Sequence, residues 1–207
     1  MSTISFYRVN DPYGFFSNFS PHPVWIGGYR WPTTEHYFQS RKFMDGTIRE
    51  AIRTADSPMK AATLGRDRRF SLRSDWDQRR DDFMRVALRA KFLQHEDLRA
   101  ELTGTGNAVL VESTSNDSYW ADGGDGSGTN RLGLLLMELR EWIRSFGTEY
   151  VFPPWIVYPD MSPEDLFWRM VKGEVYIDKW AAFFSGMNKL TFRHHFPLPE
   201  GWEEPDE

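Results

Sequence analysis

The segment Thr34-Glu35-His36-Tyr37-Phe38-Gln39-Ser40-Arg41-Lys42 spaces a carboxylate, an amide and an amine at i, i+4 and i+7, one polar stripe on a helix. Glu35 then falls in the first turn, where the helix dipole and free N–H groups favour the ionised carboxylate. Such a group suits a base, or a charge that stabilises a developing cation, better than a proton donor at pH 7. Lys42, two turns on, neutralises that charge, binds an anion or, with its pKa lowered by partial burial, attacks a sugar aldehyde. The same spacing is also common on solvated helix faces.

A second candidate is residues 115–130, SNDSYWADGGDGSGTN, with four glycines that let a backbone approach a ligand closely. The loop delivers the chain onto a helix start at Asn130. The N–H groups of Gly128 to Asn130 are therefore expected to cradle a phosphate, helped by Arg66 just after Gly65. The glycine spacing matches neither a P-loop nor a dinucleotide fingerprint. Asp117, Asp122 and Asp125 can serve as acid and base or hold a metal; the alternative is an Asn-capped surface loop. No His/Asp/Glu spacing indicates zinc. Residues 66–99 carry ten basic and seven acidic side chains, so interleaved that a salt-bridged, solvated helix is expected rather than a nucleic-acid groove. Trp76, a large ring in the first turn of that helix, is placed for an edge rather than a core.

The elements that must position these groups are legible from caps and periodicity. Residues 5–31 read as short extended pieces broken by Asp11-Pro12, Tyr13-Gly14 and Gly27-Gly28. A helix capped by Thr33 or Thr34 runs to about Met44. Thr47-x-x-Glu50 reads as a capping box for the next, and Ser57-Pro58 to Gly65 as a third. Asp75 starts a long helix to about Gln94, with Phe83, Met84, Ala87, Leu88 and Ala90 inward. A shorter helix ends at Thr103-Gly104, and residues 108–112 form a buried strand. Leu132, Leu135, Leu136, Leu139 and Ile143 stripe a helix from Arg131 to Phe146, closed by Gly147. Beyond it, Pro153-Pro154 suggests an extended connector and Ser162-Pro163 a helix start. Residues 174–177 and 190–196 read as strands, and Gly201 to Glu207 as a frayed acidic tail.

The chain has 207 residues and no cysteine, which excludes a disulfide scaffold, a thiolate metal site and a cysteine nucleophile. The longest aliphatic run, Leu132 to Met137, falls far short of the roughly 18 apolar residues of a membrane span, and the first residues carry no signal-peptide pattern. A soluble, cytoplasmic protein is expected, with no membrane partner. Nine Trp, eight Tyr and 16 Phe supply either a ring-built core or a surface that stacks nucleobases. Residues 1–145 hold 20 basic and 19 acidic side chains, whereas residues 146–207 hold 5 and 11. This asymmetry marks a boundary near residue 147.

These motifs together resemble the YbiA-like, or NADAR, family. The matching segments are Tyr13-Gly14-x-Phe16-Ser17-Asn18-Phe19, Trp31-Pro32-Thr33-Thr34-Glu35-His36-Tyr37-Phe38-Gln39 and Ser57-Pro58-x-x-Ala61-x-x-x-Gly65-Arg66. They continue through Asp75-Trp76, Ala87-Leu88-Arg89-Ala90-Lys91-Phe92, Asn116-Asp117-x-x-Trp120 and Gly126-x-Gly128-x-Asn130-x-Leu132-Gly133. Order and spacing agree over residues 6–144. The resemblance implies an α+β, predominantly helical YbiA-like domain with a few short strands over residues 1–147. Residues 148–207 form an extension outside the resemblance, expected to pack on the main domain. It also implies an N-glycosidase needing no cofactor, with catalytic positions at Glu35, Trp76 and Asp117, to which the spacing argument adds Lys42. Substrate-binding positions are expected at Asn18, Tyr37, Gln39, Arg66, Trp120, Asp122, Gly126, Gly128 and Asn130. Two substrate groups go with the family: ADP-ribose on guanine in nucleic acid, the one expected here, and phosphoribosylated pyrimidine intermediates of riboflavin synthesis. The main alternative is a module that senses NAD-derived nucleotides without cleaving them. The family reads Trp-Gly-Asp-Gly where this chain has Trp120-Ala121-Asp122-Gly123. A left-handed backbone there would strain Ala121.

Overall fold

Helix α1 (Thr34–Ser40) has all seven residues buried, so the fold around it is built to enclose polar side chains as well as apolar ones. The computed structural model describes residues 2–147 and 150–203. It divides into two units, Met1–Ser145 and Phe146–Glu207.

In the first unit β1 (Thr3–Phe6) pairs in parallel with β4 (Val109–Glu112), in a register that sets Phe6 opposite Glu112. Strands β2 (Val24–Ile26) and β3 (Tyr29–Trp31) form an antiparallel hairpin. Gly27 and Gly28 make its turn at φ 62° and 77°, backbone that glycine adopts without strain. Thr33 caps α1, its hydroxyl accepting from the His36 amide. The helix ends at Ser40 rather than Met44, because Arg41 and Lys42 turn out of it.

Helix α2 (Gly46–Arg53) corrects the expected capping box. Asp45 is the cap, its carboxylate accepting from the Thr47 and Ile48 amides at 2.7 and 3.2 Å. Glu50 instead pairs with Arg53. Helix α3 (Pro58–Gly65) is capped by Ser57 with proline in its first turn, as its sequence requires. Helices α4 (Trp76–Gln94), α5 (Glu96–Gly104) and α6 (Arg131–Ser145) complete the unit. The five-residue stripe of α6 is buried, as are Phe83, Met84, Ala87 and Leu88 of α4.

The buried face of α4 also holds Lys91, fully enclosed, where a solvated face was expected. Its ammonium donates to the Phe15 carbonyl, to the Ser17 carbonyl at 2.9 Å and to the Ser20 hydroxyl at 2.5 Å. Three donors meet three acceptors, which is what makes the charge tolerable there.

The second unit contains α7 (Pro154–Val157), a 3-10 turn at Leu166–Arg169, α8 (Val171–Ser185) and α9 (Lys189–His195). Three expectations fail here. Pro154 opens a helical turn instead of an extended connector. No helix begins at Ser162; Asp165 caps the 3-10 turn by accepting from the Phe167 amide. Residues 174–177 and 190–195 are helical rather than strands. Helix spacing puts Trp180 and Phe184 (i, i+4) on one buried face, and that packing overrides the local β-propensity of Val175-Tyr176-Ile177. Of the tail, residues 204–207 lie outside the described residues. Among the described residues no helix is long and apolar enough to cross a membrane.

Candidate active site

The site is assembled by the start of α1, the turn after it, the end of α3, the start of α4 and the 115–130 loop. Glu35 is 5% exposed. Its carboxylate accepts from Gln39 Nε2 at 2.7 Å, one helical turn on. The other Gln39 amide atom, Oε1, is buried and has no partner among the described residues. A side chain at position 65 would strike that oxygen at 2.0 Å, so glycine is required there for Gln39 to reach Glu35.

The main chain of Glu35 is fixed too. Its amide donates to the Asn18 carbonyl at 3.1 Å, and Thr34 Oγ1 donates to Asn18 Oδ1 at 3.0 Å. Asn18 therefore fixes the start of α1, and it belongs to the same loop that Lys91 clamps.

Lys42 leaves the helix but stays with the stripe. Its ammonium donates to the Gly65 carbonyl at 3.2 Å and lies 5.7 Å from the centre of the Trp76 ring. Burial pulls its pKa down, with Arg66 acting in the same sense and Glu35 and Asp117 opposing. Burial pushes the Glu35 pKa up, against the Gln39 hydrogen bond and the charges of Lys42 and Arg66. This corrects the expectation of a fully favoured carboxylate: removing the group from water outweighs the helix end.

Phe38, 4% exposed, stands between two indoles, 5.2 Å from Trp76 and 5.2 Å from Trp120. Trp76 also stacks on Phe83 at 6.2 Å. Both tryptophans are half-buried, so each retains ring surface toward solvent. Tyr37 is not part of this group: it packs edge-on against Trp31 and under the Arg41 guanidinium, since i+2 points across the helix from Glu35.

Asp117 turns the loop, with Oδ1 accepting from the Tyr119 and Trp120 amides at 2.8 and 2.7 Å. Asp122 is spent within the loop: its oxygens accept from the Thr114 and Gly124 amides and the Ser113 hydroxyl. Asn130 braces the strand, donating to the Leu110 carbonyl and accepting from the Glu112 amide. The phosphate cradle expected at Gly128 to Asn130 is not available. Those three amides donate to the carbonyls of Asp122, Ser118 and Ala121 at 2.8, 2.8 and 2.9 Å. The cationic side chains that act on Glu35 by charge are Lys42 and Arg66, the latter exposed at the end of α3. Ala121 carries no left-handed backbone; Gly123, Gly124, Gly126 and Asn130 do, so the departure from the family's glycine costs no strain. Gly126 is exposed.

One site residue was not singled out from the sequence. Glu112, at the end of β4, lies within electrostatic reach of Glu35, Asp117 and Asp122. The signal was an acidic residue closing an otherwise apolar strand, Ala108-Val109-Leu110-Val111-Glu112. A groove of about 460 Å³ beside α2, lined by residues such as Met44, Ile48, Phe70 and Arg73, holds none of the catalytic candidates.

This helical fold, with a buried carboxylate within electrostatic reach of a lysine and with two indoles flanking Phe38 of the same helix, has a known class. The NADAR domain matches residues 5–144, and the chain belongs to that family, as its motifs implied. Among its relatives, N-glycosidase YbiA of Escherichia coli (strain K12) is 57% identical over 138 residues, 67% of this chain and 86% of that protein. An N-glycosidase of Nostoc punctiforme is 47% identical over 69% of this chain and 94% of its own length. A riboflavin biosynthesis protein of Vibrio vulnificus is 40% identical over 67% of this chain and 38% of that protein. The NMR structure of E. coli YbiA superposes with a TM-score of 0.68 at 54% identity, covering 72% of this chain and 89% of that one.

Proposed function

We propose that this chain is an N-glycosidase that hydrolyses the bond between the C1′ of a phosphorylated ribose and a nitrogen of a base. The observation that carries the reading is the enclosed Glu35 carboxylate, held by Gln39 and faced by Lys42, Arg66 and Asp117. Cleavage develops positive charge on the sugar ring, and a fixed carboxylate in a low-dielectric site stabilises it. Lys42 and Arg66 supply the positive charge for a sugar-borne phosphate. The lowered pKa of Lys42 also supports a second role, in which its free amine attacks the aldehyde of an opened ribose. Borohydride traps such an adduct, and a Lys42→Ala protein with full turnover rules out both roles. Trp76 and Trp120 offer faces on which the departing base stacks.

The substrate we propose is ADP-ribose attached to guanine in nucleic acid. The names of the riboflavin-biosynthesis relatives favour a second, a phosphoribosylamino-pyrimidine. The test incubates both glycosides with wild type and Glu35→Gln and identifies the released base and sugar by mass spectrometry. Release of ADP-ribose by wild type alone supports the first substrate, and release from the pyrimidine only supports the second. Binding of ADP-ribose without release from either identifies a sensing module instead.

A further inference from the structure

We infer that Glu112 is the acid that protonates the departing base nitrogen, an inference that rests on the glycosidase reading. Three features of the fold lead there. First, Glu112 is anchored where the site loop leaves and returns: its amide donates to Asn130 Oδ1 at 3.0 Å and its carbonyl accepts from the Asp122 amide at 2.9 Å. Second, its neighbours by charge are Asp117 and Asp122 from the loop, Glu35 from α1 and Tyr7 beyond β1. Third, its half-buried carboxyl takes no hydrogen bond and no ion pair among the described residues.

A carboxyl drawn out of water, beside like charges and without a donor, keeps its proton. Burial, followed by the charges of Asp117, Glu35 and Asp122, raises the Glu112 pKa to about 8. Glu35 and Glu112 thus divide the work: one is offset by Lys42 and Arg66, the other is surrounded by acids. Burial raises both carboxyls, but cations oppose the rise only at Glu35, and such a difference in charged surroundings suits separate base and acid roles.

The step balances without a further reactant. Glu112 gives its proton to the base nitrogen as the C1′–N bond breaks, its electron pair staying on nitrogen. Water then bonds C1′ and loses a proton to the Asp117 carboxylate, and that proton restores Glu112. The products are the free base and the ribose hydroxyl.

The test is Glu112→Gln, close to isosteric, assayed on ADP-ribosyl-guanine DNA and on the phosphoribosylamino-pyrimidine from pH 5 to 10. We expect kcat to fall about 10²–10⁴-fold, with KM changed less than about twofold. The alkaline decline of the wild-type profile near pH 8 disappears with it. Carbon-13 NMR of labelled glutamate follows the carboxyl itself, and the signal titrating in that range in wild type is absent from Glu112→Gln. Where Glu112→Gln does not fold, Glu112→Asp takes its place: reduced turnover with the alkaline decline kept is expected, and a profile without it overturns the assignment. Unchanged turnover in Glu112→Gln, or a Glu112 carboxyl already ionised at pH 6, overturns it in wild type that remains active and Glu35-dependent. Wild type inactive on both glycosides overturns the glycosidase reading instead, and the proton-donor role with it.

Discussion

The two units of this chain solve the problem of burial in opposite ways. All of the buried polar and charged side chains among the described residues lie in the first unit, from Ser17 and Glu35 to Lys91 and Arg140. The buried side chains of the second are apolar, built on Phe152, Trp155, Trp180, Phe184, Phe192 and Phe196. Trp155 and Trp180 meet edge to face at 5.3 Å, each with an indole N–H that has no partner among the described residues. Enclosing charge costs free energy unless each donor finds an acceptor, and in the first unit Lys91 and Arg140 find theirs in loop carbonyls and hydroxyls. The difference teaches that the first unit is organised for reaction and the second for packing.

The comparison breaks most visibly at Glu35. Glu35→Gln is expected to lower kcat by about 10³-fold or more while substrate still binds, as calorimetry on the inactive variant will read. Asp117→Asn follows, with at least ~10²-fold loss; an unchanged rate would make Asp117 a loop-turning residue only. Lys91→Met tests the buried clamp. It orphans acceptors at about 1–3 kcal/mol each, lowering the melting temperature, and it loosens the loop that holds Asn18 and Glu35. A kcat reduced about tenfold with KM retained would separate positioning from mere stability.

Glu112 sharpens the comparison by pH. Its folded pKa of about 8 stands above the ordinary 4.5, so the folded state binds that proton more tightly. Its stabilising contribution is complete below pH 4.5 and is lost as pH rises through 8. The unfolding free energy of wild type should therefore fall relative to Glu112→Gln across that window. The smallest effect on activity is expected from Trp180→Ala. It removes about 3–5 kcal/mol of packing from the second unit and leaves kcat unchanged. A proportional loss of kcat would tie the two units together.

Much of this was legible from local chemistry. Ser57-Pro58 and the leucine stripe of α6 announced their helices because caps and periodicity act over one or two turns. The Glu35–Gln39 contact followed from i, i+4 spacing. What escaped depends on distant partners. Lys91 sits in a run of charges that looks solvated, and only acceptors more than 70 residues earlier, the carbonyls of Phe15 and Ser17 and the Ser20 hydroxyl, explain its burial. Glu112 looked like the end of a strand until α1 and the loop converged on it. The amides of residues 128–130 looked free because their acceptors, at residues 118–122, belong to the same loop folding back. In the second unit, aromatic and β-branched residues imitated strands, and packing decided otherwise.

That folded-back loop has a kinetic consequence. The amides of Gly128 to Leu132 donate in succession to the carbonyls of Asp122, Ser118, Ala121, Tyr119 and Trp120. A rim laced across itself in this way is not a flap awaiting a signal. If the loop borders the substrate, the shape it presents is set beforehand, and arrival is expected to be governed by diffusion and charge rather than by closure. Turnover then carries no gating interval, and the same five amides should rank among the slowest in the loop to exchange with deuterated water, with substrate or without it.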